Sequence, residues 1–312
     1  MESLPFIEKY RPKKIDDLIG NESAKKTFRG IIREGSMTNL LLCGPPGTGK
    51  TTSIHILAKE LLGKDYKYHF CELNASDDRG IDVVRNQIKS FCKKKSFLPE
   101  GKHKMIILDE VDSMTEAAQQ ALRVIMTDYS NTRFALACND SSKIIEPIQS
   151  RCGVIRLRKV EQDKMTERFI QICEKEEVKY EKEGIDALVF CADGDLRAGI
   201  GSLQATVSGF GAITQETVFK VVDLPQPEVL KKVLMACIQG KYSEAVSQID
   251  KVLKEGYNMV DVIGTFMKVI QQAKISEDKR LEFLSLATAL KMKILQGLDS
   301  KLQFHSLLAQ LS

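Results

Sequence analysis

The chain has 312 residues, 43% of them hydrophobic, enough to bury a sizeable core and long enough to predict two or three domains rather than one. Its 46 lysines and arginines stand against 42 acidic residues, a net charge of +4. That excludes a general basic field, so a nucleic-acid partner has to be met by a local patch.

The eight cysteines form no C-x-x-C pair, and the histidines are scattered at 55, 69, 103 and 305. This spacing gives neither a tetrahedral zinc set nor a disulfide framework and predicts a reducing compartment. The opening "MESLPFIEKYRPKK" has no apolar core of signal-peptide length, and no stretch approaches the roughly 18 apolar residues of a membrane span. The expectation is a soluble intracellular protein with no membrane partner.

Up to about residue 155, short apolar runs alternate with amphipathic ones: "NLLLC" (39 to 43), "YHFCEL" (68 to 73), "KMIILD" (104 to 109), "RFALACN" (133 to 139) and "GVIRL" (153 to 157). Strands separated by helical segments predict an α/β domain with a parallel sheet. Beyond residue 158 the strand signals fade. Met165, Phe169, Ile172 and Cys173 share one helical face, and Leu196, Ile200, Leu203 and Val207 another, so the remainder reads as all helical. Pro225 and Pro227 in "DLPQPE" mark a boundary between two helical domains. The expected organisation is an α/β nucleotide-binding domain over 1–158, a helical lid over 159–222 and a helical collar over 223–312.

The strongest local signal is "GPPGTGKT", in which Gly44, Pro45, Pro46, Gly47, Thr48, Gly49, Lys50 and Thr51, followed by Thr52, join an apolar run to an amphipathic one. Strand, glycine loop and helix are the context that a phosphate-binding loop requires. Glycines let backbone N–H groups turn toward phosphates, the helix N-terminus adds positive potential, Lys50 reaches the outer phosphates and Thr51 is suited to ligate Mg²⁺. The loop alone leaves kinases, GTPases and ATPases open.

"KMIILDEVDSM" supplies the other half. Asp109 ends an apolar run, where a carboxylate can hold the magnesium shell, and Glu110 beside it can polarise an attacking water. That favours hydrolysis over transfer to a small acceptor. A GTPase would carry a guanine-reading N-K-x-D run, which the chain lacks. Asn139, closing "RFALACN", offers a neutral donor to a γ-phosphate or a water. Arg151 in "PIQSRCGVI" lies between a helical and a strand-like run, where most arginines are merely solvated.

Taken in order, "EKYRP" (8 to 12), "GPPGTGKTT" (44 to 52), "ELNASDDRGIDVVRNQIKSF" (72 to 91), "LDEVDSMT" (108 to 115), "QQALR" (119 to 123), "NDSSKIIEPIQSRC" (139 to 152) and "GDLR" (194 to 197) carry a resemblance over nearly the whole chain. The sequence resembles the AAA+ ATPases, and within them the small subunits of replication factor C, the eukaryotic sliding-clamp loader. The resemblance implies an AAA+ P-loop domain, a helical lid and a helical collar that joins five subunits.

It also implies roles by position. Ile7, Tyr10, Arg11 and Ile19 match the segment around adenine and ribose. Lys50, Thr51, Asp109 and Glu110 match the phosphate, Mg²⁺ and water positions of an ATP site. Asn139 matches the first nucleotide sensor, and Arg197, at the start of a lid helix, the second. Arg151 matches an arginine finger that enters the neighbouring subunit's site in trans. The implied partners are four other replication factor C subunits, the ring-shaped clamp PCNA and primer–template DNA, held by its backbone during replication and repair; the implied compartment is the nucleus.

Arg85 and Lys89 lie four apart, on one face of a helix if the segment is helical, with Arg79 just before it. Together with Lys143 they match DNA-facing positions of the family and would track phosphates without reading bases. The run Lys93 to Lys95 reads as a peripheral solvated cluster. Two departures stand out. Gly199 and Gly201 sit in the lid helix at about 1 kcal/mol each relative to alanine, which predicts a loosened lid. Val124 replaces a second arginine common in the family.

Two other readings compete. A homohexameric remodelling motor would share the ATPase core but usually carries an aromatic pore loop, which "ASDDRGIDVV" lacks. A scaffold that binds nucleotide without turnover is opposed by the joint presence of Lys50, Asp109, Glu110 and Asn139.

Overall fold

The computed structural model describes residues 4–75, 81–94, 99 and 101–311, with the backbone alone described at 81–85. Five strands form one parallel sheet: β1 (Leu40–Cys43), β2 (Phe70–Asn74), β3 (Lys104–Asp109), β4 (Thr132–Cys138) and β5 (Gly153–Arg156), in the order β2-β3-β4-β1-β5. Leu41, Leu42, Ile106, Ile107, Ala135 and Leu136 are wholly buried. That is why the central strands β1, β3 and β4 read as continuous apolar runs: both faces of the sheet are covered there.

Helices α1 (Phe6–Lys9), α2 (Glu22–Glu34), α3 (Lys50–Leu62), α4 (Tyr66–His69), α5 (Ile81–Lys93), α6 (Glu116–Asp128) and α7 (Glu146–Gln149) accompany the sheet. Alternate strand residues face opposite layers. Leu40, Leu42 and Ile107 pack with Phe28 of α2 and Ile54 and Leu57 of α3. Leu41, Ile106 and Leu136 pack with Ile88 of α5, Leu122 of α6 and Ile148 of α7.

Next come α8 (Gln162–Lys175), α9 (Lys182–Ala192) and α10 (Leu196–Phe210). Two strand pieces, β6 (Lys179–Tyr180) and β7 (Ala212–Ile213), interrupt what the sequence presented as all helix, because two residues are too few to show alternation. Helices α11 (Gln215–Val222), α12 (Pro227–Ile238), α13 (Tyr242–Lys254), α14 (Met259–Gln272), α15 (Glu277–Leu295) and α16 (Lys301–Leu311) complete the chain. Pro227 occupies the first turn of α12, where its missing N–H leaves no gap. Leu230, Val233, Ile249, Phe266, Ile270 and Phe304 centre a separate core among α12 to α16. The residues group into two units, 1–180 with 188–211, and 181–187 with 212–312.

The expectation of a loosened lid is corrected at Gly199. A Cβ there would collide with the Phe169 ring of α8 and lie 3.0 Å from Cβ of Ala192. The glycine therefore permits close packing of α10. Gly201 has ordinary room, its Cβ position lying 3.7 Å from Ile7 Cδ1. Opposite signs follow. Gly199→Ala is expected to lower the melting temperature, because overpacking costs about 1–3 kcal/mol against the ~1 kcal/mol gained in helix propensity. Gly201→Ala is expected to raise it. Equal shifts of the two variants in thermal unfolding would overturn this account.

Candidate active site

At the carboxyl edge of the sheet, β1 turns into the glycine loop and α3. Gly47 (φ 65°) and Gly49 (φ 89°) adopt left-handed conformations, which glycine accepts without steric cost. At Gly47 a second constraint applies, since a Cβ would collide with the carboxylate of Asp195, the residue that caps α10. The Gly44 N–H donates to the Cys138 carbonyl at 3.2 Å, tying the loop to the end of β4.

Lys50 is buried, and its ammonium donates to the carbonyls of Gly44 (2.7 Å) and Pro45 (2.9 Å) and to Oδ1 of Asn139 (2.9 Å). Burial pushes its pKa down, with the Asp109 charge opposing. The loop strand, the Asn139 strand and α3 thus converge on one cation.

Thr51 Oγ1 donates to Asp109 Oδ2 at 2.6 Å, and the Glu110 N–H donates to Asp109 Oδ1 at 2.9 Å. Both oxygens of the carboxylate are therefore oriented. Glu110 has φ 54°, a left-handed conformation that costs a non-glycine residue about 1–3 kcal/mol. Ser113 holds this turn, its N–H donating to the Glu110 carbonyl at 2.9 Å and its hydroxyl to the same oxygen at 2.7 Å. The Glu110 residue is left exposed beside Asp109.

A cavity of about 450 Å³ connects these groups, a volume typical of small-molecule sites. Pro46 to Thr52 line it from the loop, Asp109 and Glu110 from the end of β3, and Asn139 from the end of β4. Ile7, Tyr10, Arg11 and Ile19 contribute the N-terminal wall, and Arg197 of α10 the lid side. Gly44 and Pro45 stand behind the wall, with their carbonyls on Lys50.

Several residues that sequence reasoning missed organise this cleft. Asp112 Oδ2 accepts from the N–H groups of Asn139 (3.1 Å) and Asp140 (3.2 Å), fixing the turn that presents Asn139. Its only signal was a third acid in "DEVD". Arg168 of α8 donates to the Tyr10 carbonyl at 2.8 Å and lines the cavity. The Tyr10 hydroxyl donates to Glu176 Oε1 at 2.5 Å, and Lys9 pairs with the same oxygen. Burial, then Glu176, pushes the Tyr10 phenol up to about 12, while Lys9 and Tyr10 hold the Glu176 carboxyl below the usual range. The N-terminal wall is thereby fastened to α8.

The remaining predicted residues that the structure describes are not in this cleft. Arg151 is exposed between α7 and β5, its Nη1 donating to the Pro147 carbonyl at 2.8 Å, and it does not line the cavity. Lys143 is exposed on a short turn, Lys89 lies part-buried on α5, and Val124 is 44% exposed on α6. Arg79 and the side chain of Arg85 lie outside the described residues. Among the described residues no helix is long and apolar enough to cross a membrane, and no cluster of acidic, histidine and cysteine side chains forms a metal site of its own.

The fold and cleft agree with the comparisons to known proteins. The family described as "ATPase family associated with various cellular activities (AAA)" matches residues 40–160, and "Replication factor C C-terminal domain" matches 225–310. Replication factor C subunit 2 of Arabidopsis thaliana is 50% identical over 99% of this chain and 93% of its own. Replication factor C subunit 4 of Saccharomyces cerevisiae is 47% identical over 99% and 95%. The chain belongs to the replication factor C small subunits.

As a replication factor C small subunit it is an ATPase of the AAA+ type, acting within a multi-subunit clamp loader. More distant likeness concerns the fold alone. A structure of the Thermotoga maritima RuvB Holliday junction branch migration motor is 22% identical, with a TM-score of 0.55 over 73% of this chain and 79% of that one.

Proposed function

We propose that this replication factor C small subunit binds ATP with Mg²⁺ in the cleft between the glycine loop and Asp109. In this reading it hydrolyses ATP there and gives Arg151 to the cleft of an adjoining subunit. The observation that carries the reading is the convergence of Lys50, Thr51, Asp109 and Asn139 on one cavity while Arg151 stays outside it.

The oxygen set formed by the Thr51 hydroxyl and the Asp109 carboxylate suits a hard divalent cation. Mg²⁺ held there by Thr51 and Asp109 would supply positive charge that offsets the charge of the phosphates. Lys50 would exchange its carbonyl partners for the outer phosphates, and the backbone N–H groups of the lining residues Gly47 to Thr51 suit the same anion. Glu110 takes the proton of the attacking water, and Asn139, anchored through Asp112, orients that water or the γ-phosphate. Ile7, Tyr10, Arg11 and Ile19 enclose the base and ribose, and Arg197 approaches from the lid.

The wider assignment is a heteropentamer with four other replication factor C subunits that opens PCNA and places it at primer–template junctions in the nucleus. Arg79, Arg85, Lys89 and Lys143 are its proposed contacts with the DNA backbone. The proposed domains are an AAA+ domain over 1–158, a lid over 159–222 and a collar over 223–312; the two family matches support the first and last. Exposed Leu281, Met292, Leu295 and Leu302 on α15 and α16 support packing of the collar against other subunits.

Native mass spectrometry of the assembly recovered with this chain tests the reading. One copy with four different related ATPase subunits is the expected result; six identical copies would replace the loader with a motor.

A further inference from the structure

Lys104 is the first residue of β3 and is only 6% exposed. Among the described residues no carboxylate forms an ion pair with it. Its ammonium instead donates to the carbonyls of Phe91 (2.9 Å), Cys92 (3.2 Å) and Lys94. These belong to the last turn of α5 and the residue after it, where a helix leaves its carbonyls without internal partners. Three ammonium donors meet three such carbonyls, and the cation lies on the negative end of the helix dipole. The Phe91 ring, 5.4 Å from Nζ, covers it. Burial pushes the Lys104 pKa down, with Cys92 opposing and Lys94 adding, and the three carbonyls offset the cost of burying the ammonium.

The placement suggests a role for these bonds. Strand β3 runs from Lys104 to Asp109, flanked on both sides by β2 and β4. Its start grips the end of α5, and its end holds Thr51 through Asp109. Helix α5 carries Lys89 and, in sequence, Arg85. An apolar contact such as that of Ile88 is non-directional and lets a helix slide or roll. Three directed hydrogen bonds from one buried cation fix both movements.

We propose that Lys104 is a positioning residue that clamps α5 to the catalytic strand, so that a load placed on α5 by nucleic-acid phosphates reaches Asp109. The proposal rests on the reading of α5 as a DNA-facing helix.

The test uses the assembled complex with Lys104→Met, which keeps the apolar stem and removes the donors. ATP affinity, the rate without DNA and DNA affinity are expected to stay within about twofold, while stimulation of hydrolysis by primer–template DNA falls about five- to tenfold. Amide hydrogen exchange is expected to accelerate at the C-terminal turn of α5 and not in α3. Full stimulation with unchanged exchange overturns the proposal, and so does a proportional loss of every activity, which would make Lys104 a stabilising residue only. Should the methionine variant not assemble, Lys104→Gln, which offers two amide donors in place of three, has to show the same split in weaker form. Lys89→Ala separates the two readings. If it leaves DNA affinity and its salt dependence unchanged, the DNA reading of α5 fails, whereas the exchange result still reports on the clamp.

Discussion

Replacing Arg151 with alanine is expected to leave ATP binding by this subunit intact and to slow hydrolysis at the adjoining site. The loss at that site is expected to reach about 10³- to 10⁵-fold, the range for arginine fingers in other phosphate-binding-loop systems. Arg151 does not line its own cleft, and among the described residues its side chain bonds to the Pro147 carbonyl. Truncating an exposed side chain there has little effect on folding. In the proposed trans arrangement the same guanidinium would enter a partly desolvated cleft, where a planar fork suits phosphate oxygens. A complex with several sites loses only the share of turnover belonging to the affected one, so single-turnover hydrolysis resolved by site is the informative measurement. Arg151→Lys is expected to rescue poorly, because an ammonium lacks the bidentate geometry. An unchanged rate at every site would remove Arg151 from the mechanism.

Glu110→Gln is expected to retain ATP and lose its hydrolysis. The carboxylate holds none of the groups that bind phosphate: Lys50 is fixed by the loop carbonyls and Asn139, and Thr51 by Asp109. Glutamine keeps the volume and the left-handed backbone but cannot take a proton from water. General-base loss costs about 10²- to 10⁴-fold, with nucleotide affinity changed by less than about threefold. Nucleotide binding and turnover measured on the same complex check both halves. Unaltered turnover would point to a subunit that holds nucleotide without using it.

The central strands β1, β3 and β4 were legible because they are buried on both faces, which turns period-two alternation into apolar runs. The glycine loop was legible because its geometry admits few residues, and Asp109 because a carboxylate ending a buried run is conspicuous. Contacts made only by the folded chain were not legible. Arg168 reaches Tyr10 from 158 positions away, and Asp195 explains Gly47 from a different element. Neither leaves a trace in local periodicity. Gly199 was misread because a glycine within a helix looks like a pure cost until Phe169 is seen against it. Asp112 stood in plain view but resembled a surface acid.

The parallel register has a further consequence. Gly153, just beyond Arg151, pairs with Leu40 at the start of β1, whereas the glycine loop leaves the other end of that strand, beyond Cys43. Four residues at about 3.3 Å each separate the two ends. In the proposed assembly the group that is given and the cleft that receives therefore lie at opposite strand ends of one sheet, and a contact between them joins unlike patches. Where each subunit gives to one neighbour and receives from another, such a contact propagates head to tail, with one donor and one acceptor left over until a ring shuts or a different protein ends the row. The direction of that proposed assembly would thus follow from the polarity of a single parallel sheet.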